Sequence, residues 1–494
     1  MLLEQNHYGV ETYNKKRLKY KLICDSWIFR VHTHPFFCYN IFDMKICVIP
    51  IDNRPVCYNL VKDIAKIDKD IELFMPPREM LGGLKKSANI IGIYNWLCKL
   101  PEVDTIVLSL DTIAYGGLIP SRRCPETYEE IKSRVLDFKE ILQTKNAKIY
   151  AVSSIMRISN NNCNEEEKEY WNKYGKKIFE YSYTKHKYAS SLGLESPLKR
   201  IIPEDILADY KSTRLRNFKI NKLYLDWKKE GFFETLIFSK DDCAEYGYNV
   251  MEAQQLERMG GEVITGADEI PLSLFAKSIK KEISVAPIFI EDDCKNLISN
   301  YEDISIEKSV TKQLTFAGVK IVSPEDADII LLVNNFKDHQ GEIVMKVPTE
   351  QFSSELNLPE KLFMVADVRN ANGADNNFVQ EFFKQFQYSD KFYGYSAWNT
   401  SANSLGSLIC CAKVKFDAKQ FDETAFKKVQ MIRFLDDWAY QANIRQQIEK
   451  PCDIRSQMKP YEEKISQVFD LPIKNEYFYP WDRLFEVEVR DELF

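Results

Sequence analysis

Short apolar segments alternate with longer amphipathic segments along most of this chain. From Met44 onwards, six apolar segments are typical of buried strands: KICVIPI, IELFMPP, DTIVLSLD, KIYAVSSIM, ETLIFSKDD and EVITGADE. Helical spacing follows in SANIIGIYNWLCKL, TYEEIKSRVLDFKEIL, a long stretch over residues 164–230, NVMEAQQLERMG and PLSLFAKSIKKE. Near-continuous apolar strands separated by helices predict a parallel sheet that is covered on both faces.

This pattern predicts an α/β fold. We expect a (β/α)8-like barrel with a smaller α/β lobe, and a doubly wound parallel sheet in two domains is the alternative. Residues 44–282 would supply the first six β/α units, residues 283–345 the smaller lobe or insertion, and residues 346–420 the closing units. Residues 421–494 would form a helical region and a tail, PWDRLFEVEV, packed outside the barrel.

The first 43 residues contain no clean apolar segment with a small-residue cleavage site, because charged and aromatic residues interrupt each apolar run. We therefore expect neither a signal peptide nor a membrane anchor. Residues 1–43 are expected to be an extension, either disordered or the product of a misassigned start. The same features predict a cytoplasmic protein.

The charge balance narrows the class of partner. The formal net charge is -6, so the chain has no overall basic field for a phosphate backbone, and nucleic acid is not expected as a partner. Twelve cysteines without a CxxC pair are typical of buried, reduced thiols in a reducing compartment. A small polar molecule or a glycan is the expected ligand.

Histidine is scarce, which limits the chemistry. Of five histidines, three lie in the first 43 residues, and only His186 and His339 remain for the body of the chain. A zinc site or a Ser-His-Asp triad is therefore not expected. GxGxxG and GxxxxGK[ST] are also absent, and we expect no cofactor. Acid and base roles fall to Asp, Glu or Tyr.

Polar residues recur after nearly every predicted strand, where the loops of parallel sheets carry binding and reacting groups. A single Asp or Asn there is also a common helix N-cap, but two acids, or an acid beside Arg, favour a pocket. The candidate substrate-binding residues are Asp52, Arg54, Asp111, Tyr115, Arg122, Arg157, Asp268, Glu269, Asn335, Asp367, Asn372, Asp375, Trp398, Asn399 and Asn403.

Asp241 and Asp242 are the candidate catalytic pair. Two adjacent carboxylates after an apolar strand cannot both be ionised and desolvated without cost, so one of them can act as a general acid near neutrality. Two alternatives stay open. Asp52, Asp111, Asp242 and Asp268 could form an oxygen site for Mg²⁺ or Ca²⁺, or the pair could cap the helix that begins near Asn249.

Trp398 begins the segment WNTSAN, which places an aromatic ring beside two amides. Sugars are often bound in this way, with the ring against an apolar face and polar groups on the hydroxyls. A buried core tryptophan is the competing interpretation. Arg122 could likewise bind a substrate carboxylate or phosphate, or pair with a neighbouring Asp such as Asp52.

Eight longer motifs carry a family resemblance: IPIDNRPVC, SLDTIAYGGLIPSRR, SSIMRIS, FSKDDCAEYGYNVMEAQQL, TGADEIP, LLVNN, VADVRNANGAD and YSAWNTSANSLG. With them the chain resembles the bacterial domain of unknown function 4127 family from Met44 to about Gly406. The Asp-Asp pair is also similar to the catalytic pair of barrel-fold N-acetylhexosaminidases. That analogy implies that Asp241 orients a 2-acetamido group, whose carbonyl is the nucleophile, and that Asp242 protonates the leaving oxygen.

These features lead to three functional hypotheses. The first is a glycoside hydrolase-like enzyme that acts on an amino sugar or a polar glycan fragment. The second is a hydrolase or isomerase with a carboxylate-bound divalent metal. The third is a carbohydrate-binding protein without catalysis.

Overall fold

The structure is a computed structural model that describes residues 44–188, 200–241 and 243–491. The predictions for residues 1–43 and for Asp242 therefore lie outside the described residues.

Six parallel strands form the first sheet. They are β1 (Met44–Ile49), β2 (Ile71–Phe74), β3 (Thr105–Ser109), β4 (Lys148–Ile155), β5 (Thr235–Lys240) and β6 (Glu262–Thr265). Their spatial order is β2-β1-β3-β4-β5-β6. All six predicted strands are confirmed. In β1 the side chains from Ile46 to Ile49 are fully buried, as a strand covered on both faces requires.

Helices connect these strands and cover both faces of the sheet. They are α1 (Asn59–Ala65), α2 (Ile90–Cys98), α3 (Leu110–Tyr115), α4 (Leu118–Arg123), α5 (Tyr128–Gln143), α6 (Trp171–Lys187), α7 (Glu204–Lys229), α8 (Tyr248–Arg258) and α9 (Ile270–Ser278). The start of α5 is encoded locally, because Thr127 and Glu130 form a capping box. The predicted helical stretch over residues 164–230 contains two helices, α6 and α7.

The second sheet has five parallel strands. They are β7 (Ser284–Phe289), β8 (Lys320–Ile321), β9 (Ile329–Asn334), β11 (Leu362–Asp367) and β13 (Phe392–Ser396). Their order is β13-β11-β9-β7-β8. Two short pairs accompany this sheet, a parallel one of β10 (Gly341–Glu342) with β12 (Asn370–Ala371), and an antiparallel one of β14 (Asn475–Phe478) with β15 (Glu488–Asp491).

The helices of this half are α10 (Ile306–Phe316), α11 (Asn376–Gln385), α12 (Ser401–Asp417), α13 (Glu423–Arg433) and α14 (Arg455–Phe469). A π-helix, Phe434–Asn443, continues directly from α13. Short 3₁₀ helices lie at Arg78–Met80, Asp292–Cys294, Ile444–Gln447 and Pro480–Asp482.

The expected (β/α)8 barrel is wrong, because neither sheet closes within the described residues. After β2 the chain crosses back over β1 to form β3, so β2 becomes an edge strand instead of lying between its chain neighbours. Of the two strands expected to close the barrel, β11 pairs with β9 and β13 pairs with β11. Open and closed parallel sheets share one apolar pattern, so periodicity could not separate them. The domain boundaries stay a prediction.

The two sheets share one hydrophobic core. Helix α9 packs on β3 and β4 and also against α12, which packs on β11 and β13. A continuous cluster of buried side chains runs from Val48 in the first sheet to Val333 and Met364 in the second. The loop after β6 also meets helix α12, since the Ser407 N–H donates to Glu269 at 2.8 Å.

We expected the C-terminal tail to pack outside the barrel. Instead, it lies across the carboxyl end of the first sheet. We call residues 479–488 the C-terminal strap. The π-helix holds it, because the Tyr440 hydroxyl donates to the Leu484 carbonyl at 2.8 Å and the Gln441 amide to that of Phe485 at 2.9 Å. The alternation of charged and apolar residues in the C-terminal strap is typical of an exposed strand. In the folded chain, however, the charged residues of the strap pair with buried charged residues of the first sheet.

Candidate active site

The strand order of the first sheet reverses at β1, and we call the group of side chains at the carboxyl ends of β1 and β3 the crevice. Strand β2 lies on one side of β1, and strand β3 lies on the other. Open α/β sheets bind ligands at such points of reversal. Asp52 follows β1 and Asp111 follows β3, and both side chains are buried. The Thr112 hydroxyl donates to the Pro50 carbonyl at 2.6 Å, which fixes the two loops against each other.

Arg54 lies at the centre of the crevice and binds two of the candidate acids. Its Nε and Nη2 donate to Asp52 Oδ2 at 2.9 and 2.7 Å, its Nη1 donates to Asp268 Oδ2 at 3.3 Å, and its Nη2 also binds Asp268 Oδ1. Burial raises the pKa of Asp268, while Arg54 opposes this rise. One buried guanidinium thus joins the loops that follow β1 and β6.

Asp52, Cys57 and Asp268 place one ligand atom each within 4.8 Å of the others, a spacing that suits a metal ion. The Arg54 guanidinium already supplies positive charge between the two carboxylates. Burial also raises the pKa of the Cys57 thiol, which disfavours the thiolate that binds metals. A divalent ion would therefore require Arg54 to move.

Asp111 is bound to the neighbouring strand. Its Oδ2 accepts from the Ser154 N–H at 2.8 Å and from the Ser154 hydroxyl at 2.9 Å. Burial raises the pKa of Asp111 to about 6, although these hydrogen bonds and the charge of Arg122 favour the carboxylate. Asp111 is therefore in the crevice, but it is not in the group that suits a metal ion.

Arg122 and Arg157 converge on Asp241, the first residue of the predicted catalytic pair. Arg122 Nη2 donates to Asp241 Oδ2 at 3.2 Å, and Arg157 Nη1 lies 3.5 Å from the same oxygen. Glu167 contacts both arginines from the loop after β4, at 3.2 and 3.3 Å. Side chains that follow β4 and β5 thus meet beside the α4 helix. Asp242 itself is outside the described residues.

Glu166 links this cluster to the C-terminal strap. Arg157 Nη2 donates to Glu166 Oε2 at 2.6 Å, and Arg483 of the strap donates to Glu166 Oε1 at 2.7 Å. Burial disfavours the charged carboxylate, but Arg157, Arg122 and Arg483 outweigh it and hold the pKa of Glu166 below its usual range. Glu166 is therefore an anchored carboxylate.

The pKa of Glu486, a residue of the C-terminal strap, shifts in the direction opposite to that of Glu166. It is 1% exposed, and its Oε1 lies 4.0 Å from Arg54 Nε without accepting a hydrogen bond from the described residues. Burial raises the pKa of Glu486 to about 8, with Arg54 acting against it. The crevice therefore contains one carboxyl group whose pKa is raised by burial, Glu486, and one whose pKa is lowered by neighbouring arginines, Glu166.

Amide side chains from the second sheet approach the same loops. Asn403 accepts a 3.4 Å hydrogen bond from the Ala267 N–H, beside Asp268, and donates to Asn399 at 3.0 Å. Asn399 in turn donates to Asn372 at 3.2 Å. Asn372 and Asn399 have φ values of 61° and 59°, a strained backbone that often marks functional sites.

Glu269 lies at the junction of the two sheets. One carboxylate oxygen accepts from the Ser407 N–H, and the other has no hydrogen-bond partner among the described residues. Burial raises the pKa of Glu269 to about 8, while Arg433 opposes the rise. This candidate is therefore a buried carboxyl group with a raised pKa that is bound to α12.

Three candidates of the second sheet hold structure together. Asp375 caps α11 by accepting from two backbone N–H groups of its first turn. Asn335 makes two hydrogen bonds to the backbone of Glu291, at 3.0 and 2.9 Å. Asp367 accepts from the Tyr395 hydroxyl at 3.0 Å and is fully buried. The structure does not bring these groups to the first-sheet crevice.

The two candidate aromatic residues are buried. Trp398 is 1% exposed, and its ring meets Phe485 edge-on with centroids 6.2 Å apart. Tyr115 is 2% exposed, with the Arg216 guanidinium 5.5 Å from its ring centroid. Neither ring offers an open face to a sugar in this conformation.

Sequence reasoning missed Glu166, Glu167, Arg483 and Glu486. The two glutamates lie well beyond the end of β4, in a loop that the strand-end rule does not examine. Arg483 and Glu486 are more than 200 residues from every first-sheet strand, so only the folded chain shows their proximity. The acidic run Glu165–Glu167 was the one local signal.

A family model for a protein of unknown function (DUF4127) matches residues 46–490. The chain belongs to the DUF4127 family. This match spans both sheets of the DUF4127 chain, and it also includes the C-terminal strap. The crevice is thus built entirely from residues of the DUF4127 region. A comparison with curated proteins gives no match.

Within the described ranges of this DUF4127 chain, no helix combines the length and the apolar character needed to cross a membrane.

Proposed function

We propose that this DUF4127 protein is a glycoside hydrolase-like enzyme that acts on an amino sugar or a polar glycan fragment in the first-sheet crevice. The observation that supports this most is the contrast between Glu166 and Glu486. Their surroundings move the two pKa values in opposite directions within one crevice. Such pairs of carboxyl groups are typical of acid and base catalysis by carboxylates.

In this proposal Asp241 orients the substrate and Asp242 protonates the leaving oxygen. The contacts of Asp241 with Arg122 and Arg157 suit an orienting role, because they fix its carboxylate at the end of β5. Glu486 supplies a second protonated acid in the same crevice. The amides of Asn399 and Asn403 approach from the second sheet, where they suit sugar hydroxyls.

The test is turnover of an aryl N-acetylhexosaminide by the unaltered protein and by three variants. Asp242→Asn should lower kcat by about 10²- to 10⁴-fold, the usual contribution of a general acid. Asp241→Asn should lower it too, whereas Asp205→Asn, an exposed change in α7, should leave it unaltered. Loss of activity in Glu486→Gln with an active Asp242→Asn would assign the acid to Glu486.

Absence of hydrolysis across a panel of aryl glycosides would contradict the proposal. Sugar binding without product would then assign the crevice to a carbohydrate-binding protein.

A second candidate is a divalent-metal hydrolase or isomerase, favoured by the spacing of Asp52, Cys57 and Asp268. Metal analysis of the purified protein separates the two. A bound Mg²⁺ or Mn²⁺ that a chelator removes together with activity would support the metal enzyme, and activity that persists in chelator would exclude it.

A further inference from the structure

An open surface pocket of about 440 Å³ lies beside the crevice. We call it the rim pocket, and its wall includes Asn53, Arg78, Phe478, Tyr479, Trp481 and Glu488. Asn53 lies between Asp52 and Arg54 of the crevice, and it accepts a 2.8 Å hydrogen bond from Trp481 Nε1. A single residue of the loop after β1 therefore separates the rim pocket from the crevice.

The rim pocket has the size and the aromatic wall of a small-ligand site. Its volume lies within the roughly 300–1,000 Å³ that such sites occupy. Phe478 and Tyr479 supply two rings, and Phe478 is 37% exposed. The third aromatic residue of the wall, Trp481, packs against the guanidinium groups of Arg54 and Arg483, which lie 5.1 and 4.6 Å from its ring centroid. Aromatic rings bind the apolar faces of sugar rings, while a polar rim binds hydroxyl groups.

The charges of the rim pocket favour a neutral ligand. Arg78 binds Glu488 through two nitrogens at 2.7 and 2.9 Å, and Arg490 Nε donates to Glu488 at 2.8 Å. With Glu79 also in the wall, two guanidinium groups face two carboxylates. The pocket therefore has many hydrogen-bonding groups without a net charge to attract an anion.

We propose that the rim pocket binds one neutral sugar ring of a substrate whose adjoining ring lies in the crevice. This rests on the proposed function, since it assigns the outer ring of the same glycan. A substrate of at least two linked sugars follows, with its chain running past Asn53.

Isothermal titration with N-acetylglucosamine and with its β-1,4-linked dimer tests the rim pocket in the full-length protein. The dimer should bind about 10-fold tighter than the monomer. Phe478→Ala should weaken binding of the dimer by about 3- to 10-fold, which is the contribution of one aromatic contact. The affinity for the monomer should stay unchanged. Phe478→Tyr should restore the affinity. Tyr188→Ala removes a comparably exposed ring outside the pocket and should change neither.

The proposal is overturned if the dimer binds no tighter than the monomer, if neither sugar binds, or if Tyr188→Ala weakens binding as much as Phe478→Ala. Melting temperatures of the variants exclude loss of folding as the cause. A selective loss of dimer affinity without hydrolysis of any aryl glycoside would support the rim pocket and reject the hydrolase.

Discussion

Arg54 and Asp268 form a buried ion pair between residues that are 214 positions apart in the chain. The pair joins the loop after the first strand to the loop after the last strand of the six-stranded sheet. Both groups give up hydration, and their mutual contact, together with the contact of Arg54 with Asp52, compensates for that loss. The geometry of the crevice therefore depends on one guanidinium.

Removal of that guanidinium should destabilise the protein strongly. Arg54→Ala leaves two buried carboxylates without their partner, and breaking a buried pair costs about 3–5 kcal/mol. The measurement is urea unfolding followed by tryptophan fluorescence. Lys45→Ala is the control, because Lys45 and Glu72 form a partly exposed pair at 3.4 Å that is worth about 1 kcal/mol or less. Equal losses in the two variants would contradict the central role of Arg54.

The strand positions could be predicted because a strand that is buried on both faces has a continuous run of apolar residues, as in β1. The order of the strands in the sheet produces no such local pattern. Both sheets have an early strand between two later ones, and the apolar pattern within one strand does not encode which strand lies beside it.

The candidate site residues likewise include some whose positions could be predicted from the sequence and some whose positions could not. Asp52, Arg54 and Asp268 follow strands of the first sheet, and the strand-end rule brought them together correctly. Asp375 also follows a strand, but a helix cap and a ligand-binding acid use the same side chain, so residue type could not separate them. Glu486 comes close to Arg54 only in the folded chain, so its position relative to the crevice could not be predicted from the sequence.

Glu269 should make stability fall as the pH rises. Its folded-state pKa is raised from 4.5 to about 8, so between these values the folded protein binds a proton that the unfolded chain has lost. This contribution is complete below pH 4.5 and is lost as the pH approaches 8. Glu269→Gln removes it, and the stability difference from the unaltered protein should change by up to about 1.4 kcal/mol per pH unit.

Unfolding free energies at intervals from pH 5 to pH 8 measure this difference. Glu129→Gln, an exposed change in α5, should run parallel to the unaltered protein. A Glu269→Gln curve that also runs parallel would show that Glu269 is ionised in the folded state throughout.

Asn399 should tolerate glycine better than alanine. With φ at 59° it lies in the left-handed region, where an alanine side chain costs about 1–2 kcal/mol and glycine does not. Both variants lose the amide contacts to Asn372 and Asn403, so the difference between them isolates the backbone. Asn403 lies in the first turn of α12, where the order should reverse because glycine disfavours a helix by about 1 kcal/mol. Melting temperatures of the four variants test this, and alanine favoured at both positions would contradict the left-handed backbone at Asn399.

Cysteine reactivity should follow burial. Cys163 and Cys452 are exposed, whereas Cys47, Cys57 and Cys410 are buried in positions that raise the pKa of each thiol. Because the thiolate is the reactive form, iodoacetamide should modify Cys163 and Cys452 before the buried cysteines of the described residues in the native protein. Cys47, Cys57 and Cys410 should react only after unfolding in urea. Peptide mapping by mass spectrometry reads out each site separately. Rapid native labelling of Cys57 would show that the Arg54 cluster opens to solvent, and the crevice would then be more accessible than the buried Asp52 and Asp268 carboxylates imply.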